Sequence, residues 1–527
     1  MPSRHPGSPG AASLGSSIPL AAATLDPAVP AEPAQPPEPA RPPGPTETAE
    51  PTETAGPTET AGPTDSAALA DLGGLRIAMV NWRDPWQHVA GGAEEYAWQI
   101  SRRLRDLGAD VVFVTSRETG QARRETRERI AVHRMGGIFT RYPLALCWLL
   151  VRRWRFDVVI DCMNGIPFFT PLVLPRRTTV VCVVHHVHDQ QFFVHFRKWL
   201  ATIGKILEGP VARRIYRRRA VVAVSPSTMS AMRERLRWTG PIFIVPNGSP
   251  APAPAQVAAG LVPAPSGCAD PTPAAGPTGR AGPGAPAIVC VGRLSAHKRV
   301  ERVVDIADKL RDRWPNLKVH IVGRGAAAGP LAERIKDKGL DDHVRLHGFL
   351  SRAGTNALLA EAWLHVSASQ FEGWGLSVIE AAALGVPTVA YDVDGLRDAI
   401  RDDVTGWLVP EDEDLAAAVD RALKELSDPV RRAELRAACR AWAGRFTWAY
   451  SGDRMAGLIL AERAAPRRPA GSPYVVRYTE GADQRAALVE NSDPVRLRAA
   501  LPKTAEIIEL RPATTVELLL GRPGAGP

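Results

Sequence analysis

The sequence predicts an α/β protein with two parallel sheets, each covered by helices on both faces. Three observations carry that reading. Short apolar runs of strand length alternate with stretches of helical periodicity in residues 71–248, and again in 287–447. A Pro-, Ala- and Gly-rich stretch at 249–286 parts the two regions, as a linker or an insertion would. Residues 1–70 contain no aromatic residue and repeat Pro-Thr-Glu-Thr-Ala at a six-residue period from Pro45 to Pro63. Such a segment buries too little apolar area to offset its ordering entropy, so a disordered tail is expected there.

Within the first region, Leu75–Val80 reads as a buried strand. Ala93, Ala97, Ile100, Leu104 and Leu107 follow at helical spacing, and Val111–Thr115 is a second strand. Val158–Ile160, Val180–Val184 and Val221–Val224 continue the series. The second region is cleaner. Strands are expected at Ala287–Val291, Leu317–Val322, Val344–Leu346, Leu364–Ser367 and Pro387–Tyr391, with helices near 300–313, 329–339, 353–363 and 377–385. A last helix is expected at 448–465. The remaining segment, 466–527, reads either as a small appended subdomain or as a tail.

The 527 residues allow two or three domains. A formal charge of +9, from 65 Lys and Arg against 56 Asp and Glu, is compatible with nucleic acid, an acidic membrane or a phosphorylated ligand. The six cysteines are scattered without a Cys-x-x-Cys pair, so neither a zinc site nor a disulfide framework is expected, and a cytoplasmic location fits. No secretory signal is evident, and no apolar run reaches the roughly 18 residues that span a bilayer.

Chemistry concentrates in a few places. Phe371-Glu372-Gly373-Trp374-Gly375-Leu376-Ser377-Val378-Ile379-Glu380 sets two carboxylates eight residues apart, one in a Gly-rich loop and one inside the next helix. Glycines let backbone N–H groups approach a ligand, and a helix start favours a diphosphate. A plainer reading makes Ser377-x-x-Glu380 a capping box, though that leaves Glu372 and the glycines unexplained. Gly292, Arg293 and Lys298 leave the carboxyl end of a strand, where two cations could neutralise a departing diphosphate, or could be ordinary solvated surface cations. Gly91-Gly92 opens the first helix. His185-His186-Val187-His188 follows a strand; three His in four residues invite a metal reading, but no third-ligand pattern accompanies them, so no metal is expected.

In this order and at about these spacings, Gly91-Gly92, Pro246-Asn247-Gly248, Gly292-Arg293…Lys298 and Glu372-x7-Glu380 resemble the retaining glycosyltransferase family 4, glycosyl transferases group 1, over roughly residues 74–463. The resemblance implies a GT-B fold of two Rossmann-like domains facing each other across a cleft, the first on the acceptor side and the second on the nucleotide-sugar side. It implies transfer of a hexose-type sugar, with retention, from a nucleotide-diphosphate donor to a hydroxyl acceptor, lipid-linked or saccharide. Arg293 and Lys298 would bind the diphosphate, Glu372 face the donor sugar, Glu380 hold the ribose and His185 lie near the sugar's 6-position. Gly91, Gly92, Gly292, Gly373, Trp374, Gly375 and Leu376 would line the donor, with Arg324 near the base. No cofactor beyond the nucleotide sugar as co-substrate is implied, and the last helix would cross back to the first domain. His186 stands where many relatives carry Asp.

Arg197, Lys198, Lys205, Arg213, Arg214 and Arg217–Arg219 interleave with Trp199, Leu200, Ile203, Ile206, Leu207, Ile215 and Tyr216, and the apolar run Leu144–Val151, flanked by Arg141 and Arg152-Arg153, could add to them. A basic amphipathic stretch of this kind fits peripheral contact with the inner face of a plasma membrane; a core-facing helix with a solvated cationic face is the plainer alternative. Other functions remain in view. A sugar-nucleotide epimerase or hydrolase would share the fold. A nicotinamide oxidoreductase would use Gly323-Arg-Gly325-Ala-Ala-Ala-Gly329, whose spacing is one residue too long. A non-catalytic scaffold would use the basic surface; nucleic-acid binding is not expected, since neither a helix-turn-helix pattern nor an aromatic-basic platform is present.

Overall fold

The computed structural model describes residues 71–88, 90–137, 140–189, 191–240, 242–249, 285–464, 474–480, 483–489 and 506–512. The expected tail at 1–70 and nearly all of the 249–286 linker lie outside the described residues.

Two sheets organise the rest. The first has eight strands: β1 (Arg76–Val80), β2 (Asp110–Thr115), β3 (Arg124–Arg127), β4 (Ile130–Arg134), β5 (Val158–Asn164), β6 (Thr179–His186), β7 (Ala220–Ala223) and β8 (Ile242–Ile244). Their spatial order is β3-β4-β2-β1-β5-β6-β7-β8, parallel except for the β3–β4 hairpin at one edge. The second has six parallel strands: β9 (Ala287–Val291), β10 (Lys318–Val322), β11 (Val344–Gly348), β12 (Leu364–Ser367), β13 (Thr388–Tyr391) and β14 (Gly406–Val409), in the order β11-β10-β9-β12-β13-β14. Central strands such as β5 are buried at every residue, because helices cover both faces and leave no side for polar alternation.

Strand order reverses beside β1 in the first sheet and beside β9 in the second, since the following strands go first to one side and later to the other. These switch points leave crevices at the carboxyl ends of β1, β5, β9 and β12, where such folds bind ligands.

Several elements went unread in the sequence. The β3–β4 turn places Glu128 and Arg129 at φ +46° and +63°, with neither Gly nor Asn to announce it. The helices Leu415–Ser427 and Pro429–Ala443 start on Asp414 and Asp428, whose carboxylates accept from the N–H groups of Ala416 and Val430.

Toward the C-terminus, the helix Trp448–Ala464 lies against the helix Gly92–Asp106, Arg103 pairing with Asp453 at 2.7 Å. Within the segment 466–527, β15 (Tyr474–Glu480) pairs with β16 (Asp483–Val489) on one side and β17 (Glu506–Pro512) on the other, in an antiparallel sheet ordered β16-β15-β17.

Candidate functional site

The switch points of both sheets open on one cavity of about 1490 Å³. Every residue singled out for the donor lines it: Gly91, Gly92, His185, Gly292, Arg293, Lys298, Arg324, Glu372, Gly373, Trp374, Gly375, Leu376 and Glu380.

The C-terminal lobe supplies most of the charge. β9 ends at Val291, and the chain then passes through Arg293 into a short 3-10 turn, Ala296–Lys298. Lys298 pairs with Glu372, whose Oε1 also accepts from Ser369 Oγ at 3.0 Å. Burial would raise the Glu372 carboxyl, but the Lys298 ammonium and these hydrogen bonds outweigh it and hold the group below the usual carboxylate range. Glu380 behaves oppositely. Burial pushes its carboxyl up, only partly opposed by Arg352, which donates to it at 3.2 Å. Arg352 also reaches Glu95 of the other lobe at 3.5 Å, so one guanidinium spans the cleft. Arg324 lies over the Phe349 ring at 4.8 Å.

The loop Glu372–Gly375 needs its glycines. A Cβ at Gly373 would sit 2.1 Å from the carbonyl oxygen of His185, so the loop can press against the end of β6 only without a side chain there. Gly375, at φ +82°, caps the helix Leu376–Ala383. This corrects the capping-box alternative: Ser377 lies inside the helix, and the Glu380 carboxylate goes to Arg352. Trp374 packs edge-to-face on Phe446 with ring centroids 4.9 Å apart, so its indole anchors the loop to the interior.

From the N-terminal lobe, Gly91 precedes the helix Gly92–Asp106 and donates its N–H to Glu94 Oε2 at 2.8 Å. A methyl placed on Gly91 would lie 3.8 Å from Arg293 Nε, and one on Gly92 3.6 Å from Leu376, so this helix start faces the charged lobe directly. His185 ends β6 edge-on to Tyr96, 6% exposed, with neither ring nitrogen hydrogen-bonded. Burial, helped by His188, lowers it to about 3, so the imidazole is neutral near pH 7. His186 stacks on Phe371, which stacks in turn on His297.

Sequence reasoning missed several lining residues. Asn164, at the end of β5, donates to Asn81 at 3.0 Å, and its place on a strand ending at the switch point was the available signal. Arg141, Arg352 and His297 sit in no recognisable motif. The Gly323-Arg-Gly325 segment also has a local explanation. A Cβ on Gly323 would lie 1.8 Å from the Gly292 carbonyl oxygen, so this glycine serves the packing of two strand exits.

The basic stretch divides into the helix Lys198–Ile206, a π-helical turn Leu207–Val211 and the helix Ala212–Tyr216. The first helix departs from a core-facing reading, since Trp199, Ile203 and Ile206 are exposed while the small Ala201 and Gly204 face inward. The second keeps it, with Tyr216 buried and Ile215 packed against the core. No described helix is long and apolar enough to cross a membrane.

Two family models match the chain: "Glycosyltransferase Family 4" at residues 90–250 and "Glycosyl transferases group 1" at residues 279–442. An alpha-D-kanosaminyltransferase of Streptomyces kanamyceticus is 32% identical over 175 residues, which are 33% of this chain and 45% of that protein. A D-inositol 3-phosphate glycosyltransferase of Jonesia denitrificans is 32% identical over 192 residues, 34% of this chain and 43% of that protein. The chain thus spans less than half the length of these curated relatives. Among solved structures, sucrose-phosphate synthase from Thermosynechococcus elongatus superposes with a TM-score of 0.61 at 20% identity, over 74% of this chain and all of that one. Anabaena Alr3699/HepE in complex with UDP and glucose does so with a TM-score of 0.53 at 16% identity, over 73% of this chain and all of that one. At these identities the likeness shows the fold.

Proposed function

The chain belongs to the group 1, family 4 glycosyltransferases of the GT-B fold, and on that premise we propose that it moves a hexose-type sugar from a nucleoside-diphosphate donor to a hydroxyl acceptor with retention. The observation that carries this reading is the convergence of Arg293, the Lys298–Glu372 pair, Glu380 and the Gly91-Gly92 helix start on one cavity.

In this reading the donor diphosphate lies between Arg293 and Lys298 on one side and the first N–H groups of the helix Gly92–Asp106 on the other. Glu380 holds the ribose hydroxyls. Glu372, kept ionised by Lys298, accepts from hydroxyls of the sugar. Because one of its oxygens is already engaged by Lys298 and Ser369, it suits holding better than nucleophilic attack. His185, neutral and with both nitrogens unengaged, offers a hydrogen bond to the sugar rather than a charge.

As the bond from the anomeric carbon to the diphosphate oxygen breaks, the acceptor oxygen bonds to that carbon on the same face. The acceptor's proton passes to the departing phosphate oxygen. Arg293 and Lys298 stabilise the charge that develops on the leaving group, so the step is proposed to need neither metal nor further cofactor. Approach of the two lobes, bridged by Arg352, would exclude water that otherwise hydrolyses the donor.

The exposed apolar face of the helix Lys198–Ile206, flanked by Arg197, Lys198 and Lys205, supports peripheral attachment at the inner face of an anionic membrane. Flotation with anionic liposomes tests this; protein left wholly in the soluble fraction contradicts it. The transfer itself is tested by product analysis. An α-linked nucleotide sugar should give an α-linked product with unchanged rate in EDTA, whereas a β-linked product, or loss of turnover on chelation, contradicts the proposal.

A further inference from the structure

The cavity does not end at the donor groups. It runs on into the N-terminal lobe, where Tyr142, Phe169, Phe192, Leu200, Ile203 and Leu207 line it beside His188 and Gln191. No sequence motif announces this apolar lining. Arg141, the first residue of the helix Arg141–Arg152, belongs to the same wall. Arg141 lines the cavity and is 6% exposed. Its guanidinium carbon lies 5.2 Å from the Trp82 ring and 5.1 Å from the Tyr142 ring.

Among the described residues Arg141 has no carboxylate within ion-pair distance. Its Nε is buried without a hydrogen-bond partner, as is Nε1 of Trp82 beside it. A buried cation is normally paired, because desolvation is costly unless a counter-charge offsets it. The neighbourhood sharpens the need: burial and the like charges of Arg141 and Arg293 lower the pKa of Arg83, with Glu94 and Glu118 opposing. Arg141 and Arg293, both on the cavity wall, thus lie close enough to Arg83 to act on its charge. A nucleoside diphosphate would account for Arg293. It leaves Arg141, on the acceptor side, without a counter-ion.

Resting on the glycosyltransferase reading above, we propose that the acceptor is an anionic amphiphile. Its phosphate is held by Arg141 against Trp82 and Tyr142, and its hydrocarbon lies along Phe192, Leu200 and Ile203. The far end of that wall supports the same occupant. Phe196 and Ile203 both line the cavity and are 43% and 44% exposed, and Trp199 and Ile206 of the same helix are open to solvent. The helix carrying Ile203 thus joins an exposed apolar surface to the cavity wall, with the exposed Arg197, Lys198 and Lys205 beside it. The planar guanidinium fork suits a phosphate monoester or diester, and the Trp82 and Tyr142 rings beside it limit its movement.

The test uses the full chain and three probes: dodecyl phosphate, inorganic phosphate and neutral dodecyl maltoside. Binding is measured by calorimetry, first alone and then with the donor site saturated by whichever nucleotide stabilises the protein. Dodecyl phosphate is expected to bind at least tenfold more tightly than either other probe, and to keep binding when nucleotide is present. Arg141→Gln should remove the advantage over dodecyl maltoside, Arg141→Lys should restore part of it, and neither should change the nucleotide's effect on melting. Ile203→Glu, at an exposed position, should remove the advantage over inorganic phosphate.

Equal affinity for inorganic and dodecyl phosphate would overturn the hydrocarbon site and leave a soluble phosphorylated acceptor. Equal affinity for the maltoside would overturn the anion site. If nucleotide displaces dodecyl phosphate, and Arg141→Gln or Arg141→Lys weakens nucleotide tenfold, Arg141 belongs to the donor site and the proposal fails. Should no nucleotide bind, the glycosyltransferase reading fails on its own, while the three-probe comparison still decides whether Arg141 holds an anionic amphiphile. Should Arg141→Gln not fold, Arg141→Lys and Ile203→Glu carry the same decision.

Discussion

The two lobes of the cavity are built on different principles. The C-terminal lobe presents its chemistry in short continuous segments: Gly292 to Lys298 after β9, and Glu372 to Glu380 at the start of a helix. The N-terminal lobe contributes Gly91-Gly92 and the histidines at the end of β6, and otherwise mixes aromatic and aliphatic side chains with single polar groups such as Gln87, Arg141 and Asn164 from well-separated elements. The reason is physical. A diphosphate and a ribose are recognised by backbone N–H groups, fixed cations and carboxylates, which demand particular residue types at particular spacings. An apolar wall demands only carbon, and many combinations supply it.

That contrast makes distinct demands on the two sides. The largest effect should come from the charged lobe. Glu372→Gln removes the partner of Lys298 and the acceptor for sugar hydroxyls, and should lower kcat by about 10²–10³-fold, the scale seen when one preorganised electrostatic group is lost. Single-turnover donor consumption would measure it. A loss of less than threefold would detach the Lys298–Glu372 pair from chemistry.

Arg293→Ala should come next, weakening nucleotide binding by about 10–100-fold, equivalent to roughly 1.5–3 kcal/mol for charge-assisted hydrogen bonds. By contrast, Leu200→Ser in the apolar wall should leave nucleotide affinity within twofold while slowing transfer relative to donor hydrolysis. If Leu200→Ser weakened nucleotide as Arg293→Ala does, the division between the lobes would collapse.

What could be read in advance follows the same line. The strand β9 and the placement of Arg293 and Lys298 were legible, because a continuous apolar run ending in Gly and charge marks a parallel strand and its carboxyl end, and Glu372 was legible from its Gly-rich loop. The β3–β4 hairpin was not, since residues 128 and 129 adopt positive φ without being Gly or Asn. Nor was Arg141. In sequence it only flanks the apolar run Leu144–Val151, which pointed to membrane contact, whereas its burial beside Trp82 and Tyr142 comes from the fold. The capping box weighed at Ser377 does not form, for a related reason. A left-handed Gly375 took the cap, and Arg352, from a different helix, took the carboxylate.

Smaller effects test the electrostatics. His185 is held neutral by burial down to about 3, against an ordinary value of 6.5. The unfolded chain therefore binds its proton more readily between those limits, and stability rises with pH across that window. One such proton contributes a slope of about 1.4 kcal/mol per pH unit at most. His185→Gln should flatten the slope of unfolding free energy between about pH 6.5 and 3, measured by denaturant titration. An unchanged slope would show that His185 is solvated in the native state.

The smallest change is expected from Arg352→Ala, whose side chain is about half exposed. Loss of its contacts to Glu95 and Glu380 should cost about 0.5 kcal/mol of stability. Its clearer signature is in pH. Burial already raises Glu380, and without Arg352 the carboxyl rises further. Nucleotide affinity in the variant should therefore begin to fall at a higher pH on acidification than in the wild type. Identical pH profiles would remove Glu380 from the nucleotide site.

The central claim, that the charged lobe is a nucleoside-diphosphate site, is tested most directly by thermal stabilisation with UDP, GDP, ADP and dTDP. A ligand that binds only the native state raises the melting temperature by mass action. One nucleotide should shift the wild type, while Arg293→Ala and Glu380→Ala respond less at the same concentration. Equal shifts in all three proteins, or no shift with any nucleotide or nucleotide sugar, would contradict it.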